Sequence, residues 1–77
     1  MQLVVINSKE DLLTLEEGSQ IHLYLKKDYA NFLETIPPRA NIQTITLDLE
    51  EEALNMFQIQ YILERYPYRF ELKKYFL

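Results

Sequence analysis

The sequence predicts an α/β domain of the order β-α-β-α-β-α-β, with a four-stranded, mainly parallel sheet. Three observations predict it: four β-rich segments, apolar helical patterns between them, and proline or glycine where the helices should end. Strands that alternate with helices favour right-handed parallel crossovers. With 77 residues the chain has room for one hydrophobic core, so we expect a single small domain over residues 1–77.

The predicted strands are short apolar segments, three of which alternate with period two. They cover residues 3–6, 21–25, 42–49 and 68–72. In the last three, one face is apolar and the other is mixed, which indicates strands that are buried on one side only. We therefore expect a two-layer fold with the helices mostly on one face of the sheet and the second face partly open. The pattern leaves the order of the strands undetermined.

The first two predicted helices have recognisable starts and ends. The first begins after Ser8, which can form a capping box with the acidic residue three positions later. It ends near Gly18, because glycine readily adopts the left-handed conformation of a helix C-cap. The second begins after Asp28 and ends before Pro37-Pro38, since the residue before a proline is disfavoured in a helix.

The third predicted helix opens with Glu50–Glu52, because carboxylates favour the positive end of a helix dipole. It runs to about Arg65, and Pro67 stops it. A strand over 53–63 is the alternative, because part of this segment alternates between apolar and polar residues. The segment is longer than an average strand, which favours the helix.

The third helix should also be covered on more than its sheet side. No charged residue occurs between Glu52 and Glu64, whereas a surface helix normally carries a charged stripe. A small fold without disulfides often relies on oligomerisation for stability. We therefore expect a homo-oligomer, a dimer as the first guess, with an interface formed by Met56, Ile59, Leu63 and Tyr66.

The residue inventory excludes several kinds of chemistry. The chain has no Cys, one His and one Gly, so it has neither a thiol nucleophile nor a glycine-rich phosphate loop. His22 could pair only with Ser8 or Ser19, which are explained as residues at a helix start and after a helix end. The acidic residues near Asp48 lack the spacing of a metal site. We expect no enzymatic activity, no catalytic residue, no metal and no cofactor.

The acidic balance indicates the kind of partner. The net charge is −4, with 12 acidic and 8 basic residues, so phosphate-driven binding of nucleic acid is disfavoured and a basic protein is favoured. We expect a non-catalytic protein–protein interaction module, such as a small acidic inhibitor, an antitoxin-like or immunity-like protein, or a regulatory subunit. The predicted partner-binding residues are Asp48, Glu50, Glu51, Glu52, His22, Tyr24 and Arg69.

Other interpretations stay open. One is a self-assembling structural protein, and another is a binder of small ligands or nucleic acid through His22, Tyr24, Arg69 and Lys73. Aromatic residues gather near the C-terminus and predict either core packing or an interface; they are Tyr61, Tyr66, Tyr68, Phe70, Tyr75 and Phe76. We recognise no targeting segment and no apolar stretch of about 20 residues, so we expect a cytoplasmic protein without a membrane span.

Overall fold

The computed structural model describes residues 1–73 and confirms the predicted order of strands and helices. The strands are β1 (Gln2–Ile6), β2 (Gln20–Leu25), β3 (Asn41–Asp48) and β4 (Phe70–Lys73), and the helices are α1 (Lys9–Leu13), α2 (Tyr29–Thr35) and α3 (Met56–Arg65). The first three strands lie within one residue of their predicted bounds. β4 begins later than predicted, and Tyr68 instead packs its ring edge-on against that of Phe70, with the ring centres 6.4 Å apart.

The sheet has the strand order β1-β2-β3-β4, and every neighbouring pair is parallel. Each strand therefore lies beside the one before it, and each connection passes through one helix. Because such crossovers are right-handed almost without exception, three successive crossovers in one direction put all three helices on the same face. Within residues 1–73, the other face of the sheet has no helix over it.

The core lies between the sheet and this helical layer. The strand register aligns Val4, Leu23, Ile45 and Phe70 in one row across the sheet, and Leu23 and Ile45 are fully buried. The helices and loops contribute the opposite side of the core with Leu12, Leu15, Tyr29, Phe32, Leu33, Ile36, Ile59, Ile62 and Tyr66. Burial on one side of each strand is what the alternating pattern predicts.

Helix α1 begins as predicted but ends earlier. Ser8 and Asp11 form the expected capping box, in which the Asp11 carboxylate accepts the Ser8 N–H at 3.1 Å. The predicted end at Gly18 is wrong, because α1 ends at Leu13 with Thr14 as its C-cap. The Thr14 hydroxyl donates to the Asp11 carbonyl at 3.2 Å and helps to close the last turn. Gly18, with φ +84°, lies in the turn before β2.

Helix α2 has the predicted bounds. Asp28 occupies the N-cap position with φ +46°, in the left-handed region. The helix ends at Thr35, and Ile36 turns to extended backbone before Pro37. Extended geometry at Ile36 is the conformation that a following proline favours.

The predicted start of the third helix at Glu50–Glu52 is wrong. Helix α3 begins at Met56, and the residue before it forms a capping box. Asn55 Oδ1 accepts the Gln58 N–H and Gln58 Oε1 accepts the Asn55 N–H, each at 2.9 Å. Side chains that satisfy these N–H groups set the helix start more firmly than the dipole does. The alternative of a strand over 53–63 is also wrong.

Residues Glu50–Glu52 belong instead to a loop that Tyr29 anchors. The Tyr29 side chain is 2% exposed, and its hydroxyl lies 2.6 Å from the Asp48 carbonyl, 2.7 Å from the Glu52 carbonyl and 3.0 Å from the Lys26 carbonyl. A phenol has one proton, so it donates to one of these carbonyls at a time. Burial, with the nearby carboxylates adding to it, raises the pKa of Tyr29 to about 12.

Candidate binding surfaces

The side of the sheet opposite the helices forms the first candidate surface, which we call the open face. Its side chains alternate with those of the core, and the strand register arranges them in rows. The rows are Leu3, His22, Thr44 and Arg69; then Val5, Tyr24, Thr46 and Glu71; then Asp48 and Lys73. Leu3 and Val5 are 63% and 39% exposed, so the edge at β1 is apolar and the middle of the face is polar.

His22 is fixed at the centre of the open face by two threonines of β3. Its Nδ1 lies 2.6 Å from the Thr44 hydroxyl, and its Nε2 lies 2.6 Å from the Thr46 hydroxyl. Because a neutral imidazole offers one donor and one acceptor, one hydroxyl donates to the ring and the other accepts from it. Both ring nitrogens are thus engaged within the sheet, and the ring is held in a single orientation.

Tyr24, Asp48 and Lys73 form a second group on the open face. The Tyr24 hydroxyl donates to Asp48 Oδ2 and accepts from Lys73 Nζ at 3.2 Å, and this ammonium also lies 5.6 Å from the centre of the Tyr24 ring. The other Asp48 oxygen accepts the Glu50 N–H at 3.0 Å. The hydrogen bond from Tyr24 lowers the pKa of Asp48, and the same bond raises the pKa of Tyr24. The carboxylate of Asp48 is therefore compensated within the protein.

A depression of about 470 Å³ lies over this polar network. His22, Tyr24 and Thr46 line it together with the more exposed Leu3 and Leu72. Fixed polar groups beside exposed apolar side chains are the combination found at protein-binding surfaces. The open face has the features of a docking surface whose side chains are already ordered.

The predicted partner-binding residues divide between two places. Four of them lie on the open face: His22, Tyr24, Asp48 and Arg69. Glu50 and Glu51 are exposed in the loop beyond the carboxyl end of β3. Glu52 is half-buried in this loop, and its carboxylate accepts the Asp28 N–H at 3.2 Å.

The sequence reasoning did not identify Thr44 and Thr46 as site residues. Both alternate with the apolar residues of β3 and therefore point to the same side of the strand as Asp48. This alternation places them on the open face, but only the parallel register shows that they lie on either side of His22. Tyr75 and Phe76 of the aromatic cluster lie outside the described residues.

The second candidate surface is the solvent side of α3, which we call the α3 outer face. Of the residues predicted for an oligomer interface, Met56 is 75% and Leu63 is 44% exposed, whereas Ile59 and Tyr66 are buried in the core. Two further apolar side chains are exposed on this helix: Phe57 at 84% and Tyr61 at 56%. An apolar face of this kind on a helix is a mark of an interaction surface.

A groove of about 460 Å³ separates α2 from α3. Phe57 and Tyr61 line its α3 side, and Asp28 and Tyr29 line its α2 side. Beyond this groove, the two helices are joined by a cluster of three side chains: Glu34 of α2, Arg65 at the end of α3, and Tyr66 directly after it.

In that cluster, Glu34 accepts the Tyr66 hydroxyl at 2.7 Å and the Arg65 guanidinium at 3.2 Å. These contacts, the tyrosine bond first, lower the pKa of Glu34. The Arg65 guanidinium also lies 6.0 Å from the centre of the Tyr61 ring. The cluster fixes the end of α3 against α2.

The chain matches no protein-family model, no curated protein and no solved structure. Within residues 1–73, no helix is long and apolar enough to cross a membrane. Over the same residues, no group of three or more His, Cys, Asp or Glu side chains is placed to hold a metal ion. A function for this chain therefore has to be argued from the open face and the α3 outer face themselves.

Proposed function

We propose that the chain is a non-catalytic protein-binding module that docks a basic partner protein on the open face. The observation that carries this proposal is the sheet face over which residues 1–73 place no helix, and on which an ordered polar network adjoins the exposed Leu3 and Val5. The part of the chain that the structure describes leaves this apolar surface in water. A partner protein that covers it removes that surface from water.

The order of the open face favours tight binding. His22 is held by two hydroxyls, and Tyr24 is held between Asp48 and Lys73. Ordering a mobile side chain on binding costs about 0.5–1.5 kcal/mol, and side chains that are already fixed avoid much of this cost. Tyrosine and arginine are also enriched at the energetic centres of interfaces, and the face offers Tyr24 and Arg69.

The charge of the chain favours a basic partner. The net charge is −4, and Glu50 and Glu51 are exposed directly beyond the carboxyl end of β3. Since Asp48 is compensated internally, the loop acids rather than Asp48 supply the negative field at this end of the open face. Such a field accelerates association with a positive partner and weakens as salt is added.

The apolar part of the proposal is tested with a matched pair of variants. Leu3→Gln removes an apolar side chain from the open face, and Leu13→Gln makes the same change on α1 at nearly the same exposure, 63% against 60%. Proteins captured by the immobilised chain are quantified for both variants, and a captured protein is then purified and titrated calorimetrically. We expect Leu3→Gln to weaken binding about tenfold, the effect of losing about 1.4 kcal/mol, and Leu13→Gln to leave it unchanged.

The charged part of the proposal is tested on the same purified partner. Reversing Glu50 and Glu51 to lysine should weaken binding and slow association, whereas reversing the exposed Glu16 and Glu17 should do neither. If the partner binds equally well to the Leu3→Gln variant and to the Glu50/Glu51 reversal, the open face is not its docking surface and the proposal fails.

Self-assembly into a homo-oligomer is a second candidate function. The α3 outer face supports it, because Met56 and Phe57 are 75% and 84% exposed. The two candidate functions use different surfaces, so one molecule can perform both.

A further inference from the structure

We propose that the α3 outer face forms a two-fold homodimer, in which the α3 helices of two copies pack antiparallel with Gln60 close to the axis. This inference rests on the self-assembly proposed above and adds the interface and its geometry. It does not depend on what binds the open face. Four exposed apolar side chains carry it: Met56, Phe57, Tyr61 and Leu63.

The exposed apolar area is large enough for a dimer. These four side chains are 75%, 84%, 56% and 44% exposed. Since large side chains of this kind have on the order of 200 Å² each, their exposed parts amount to roughly 500 Å². That is more than half of the about 800 Å² that each partner buries in a standard interface. The polar side chains between and beside them supply much of the rest.

The charge of this face favours a second copy over a charged partner. No charged residue occurs from 53 to 63, and the charges of α3 are confined to Glu64 and Arg65 in its last turn. Glu64 lies on the same stripe of the helix as Gln60, whose side-chain amide donates to it at 3.1 Å, so the α3 outer face carries one carboxylate at its end and is otherwise neutral. A single carboxylate at the end of an apolar face gives a basic partner little to recognise. A two-fold interface, by contrast, brings the same patch of both copies together, so it requires a face that complements itself.

The arrangement of residues around α3 determines the orientation. At 100° per residue, Gln60 lies between the flank of Met56 and Leu63 and the flank of Phe57 and Tyr61. In an antiparallel pair centred on Gln60, the Met56 end of one helix meets the Leu63 end of the other. The helix dipoles then oppose one another, which is favourable.

The same orientation separates like charges. In an antiparallel pair centred on Gln60, the two Glu64 residues lie about 12 Å apart along the helices, at a rise of about 1.5 Å per residue. This exceeds the Debye length of about 8 Å at physiological salt. A parallel pair would place the two Glu64 side chains together. Because α3 lies in the layer opposite the open face, the dimer leaves both open faces available to partners.

The first test is the solution mass of the whole chain, measured by light scattering after size exclusion over an about hundredfold range of concentration. We expect twice the 9.3 kDa of the monomer at the upper end of the range. Phe57→Glu should give a monomer, and its fold should be intact because the side chain is 84% exposed. Leu13→Glu, at an exposed apolar position on α1, should remain a dimer.

The second test exploits the position of Gln60 at the axis. Gln60→Glu and Gln60→Lys each place like charges together, so each variant alone should dimerise at least tenfold more weakly. An equimolar mixture should recover the dimer, because the opposite charges then meet. Recovery in the mixture supports a two-fold pair with Gln60 close to the axis.

The outcomes that would contradict the proposal distinguish between self-assembly of the chain and the α3 interface. A wild-type chain that is monomeric at every concentration overturns both the self-assembly and this interface. A wild-type dimer that persists in Phe57→Glu and in both Gln60 variants overturns the α3 interface alone. A dimer lost in Leu3→Gln but kept in Phe57→Glu would instead place the contact on the open face.

Discussion

The loop that carries Glu50–Glu52 depends on one buried hydroxyl, and the substitution Tyr29→Phe removes it without changing the packing of the ring. The hydroxyl donates to one of three carbonyls, of which the Asp48 oxygen is closest at 2.6 Å. Leaving a buried carbonyl without its partner costs about 1–2 kcal/mol. For a domain of this size, that loss lowers the midpoint of thermal unfolding by roughly 4–16 °C.

The substitution should also change how stability depends on pH. The pKa of Tyr29 is about 12 in the folded protein and about 10 in the unfolded chain. Because the folded pKa is the higher one, ionisation of Tyr29 leaves the free energy of unfolding unchanged below pH 10 and lowers it as the pH rises towards 12. A difference of two pKa units corresponds to a loss of about 2–3 kcal/mol. Tyr24 and Tyr66 also have raised pKa values, so the variant should lose only part of the wild-type pH dependence.

Thermal unfolding followed by circular dichroism at pH 7, 10 and 11.5 measures both effects. Tyr61→Phe is the matched control, because the Tyr61 side chain is 56% exposed and its hydroxyl makes no hydrogen bond within residues 1–73. We expect Tyr61→Phe to unfold within a few degrees of the wild type at pH 7. If Tyr29→Phe unfolds at the wild-type temperature at pH 7, the hydroxyl does not anchor this loop. If it loses stability above pH 10 as steeply as the wild type, the Tyr29 hydroxyl is not buried in the folded protein.

Three further changes test other parts of the fold, each by thermal unfolding. Asn55→Ala removes the α3 cap and should cost about 1 kcal/mol, whereas Asn31→Ala in the exposed middle of α2 should cost nothing; equal effects would contradict the capping box. Gly18→Ala should cost about 1 kcal/mol through its φ of +84° alone, because no atom of a residue beyond its chain neighbours lies within 4 Å of the added methyl, and an unchanged midpoint would argue against the left-handed turn. Glu34→Gln should reduce the loss of stability between pH 5 and pH 3: the pKa of Glu34 is lowered, so its contribution is present above the unfolded pKa of about 4.5 and lost as the pH falls. An acid response identical to that of the wild type would show that the Tyr66–Glu34–Arg65 cluster does not form in solution.

The strands, and the side of each strand that is buried, could be predicted because each strand carries its own local sequence pattern. Alternation fixes which side of β2 is apolar, and prolines mark the ends of α2 and α3. The start of α3 was wrong because two local signals competed. Three consecutive glutamates indicated a helix start, whereas the Asn55–Gln58 pair, which also lies in the sequence, supplies the hydrogen bonds. The bonds of Tyr29 to the loop join residues about 20 positions apart, which no local pattern reports.

The candidate surfaces were only partly predictable for related reasons. The alternation of side chains along the strands placed His22, Tyr24 and Asp48 on one face of the sheet. It did not show that Asp48 is compensated by Tyr24, because that contact depends on the register between β2 and β3. For α3, the lack of charged residues predicted a covered helix but did not show which of its apolar residues face the core. The structure turns Ile59 and Tyr66 inward, where they pack with the core.

The central claim, that the open face is where a partner docks, is tested most directly by NMR. The ¹⁵N-labelled chain is titrated with a purified partner, and the amide shifts are mapped onto the fold. We predict that the largest changes fall on alternate residues of the open face, at Leu3, His22, Thr44, Thr46 and Glu71, with little change in α1 and α2. Changes confined to α2 and α3, with these strand residues unmoved, would contradict the claim and place the binding surface on the helical layer.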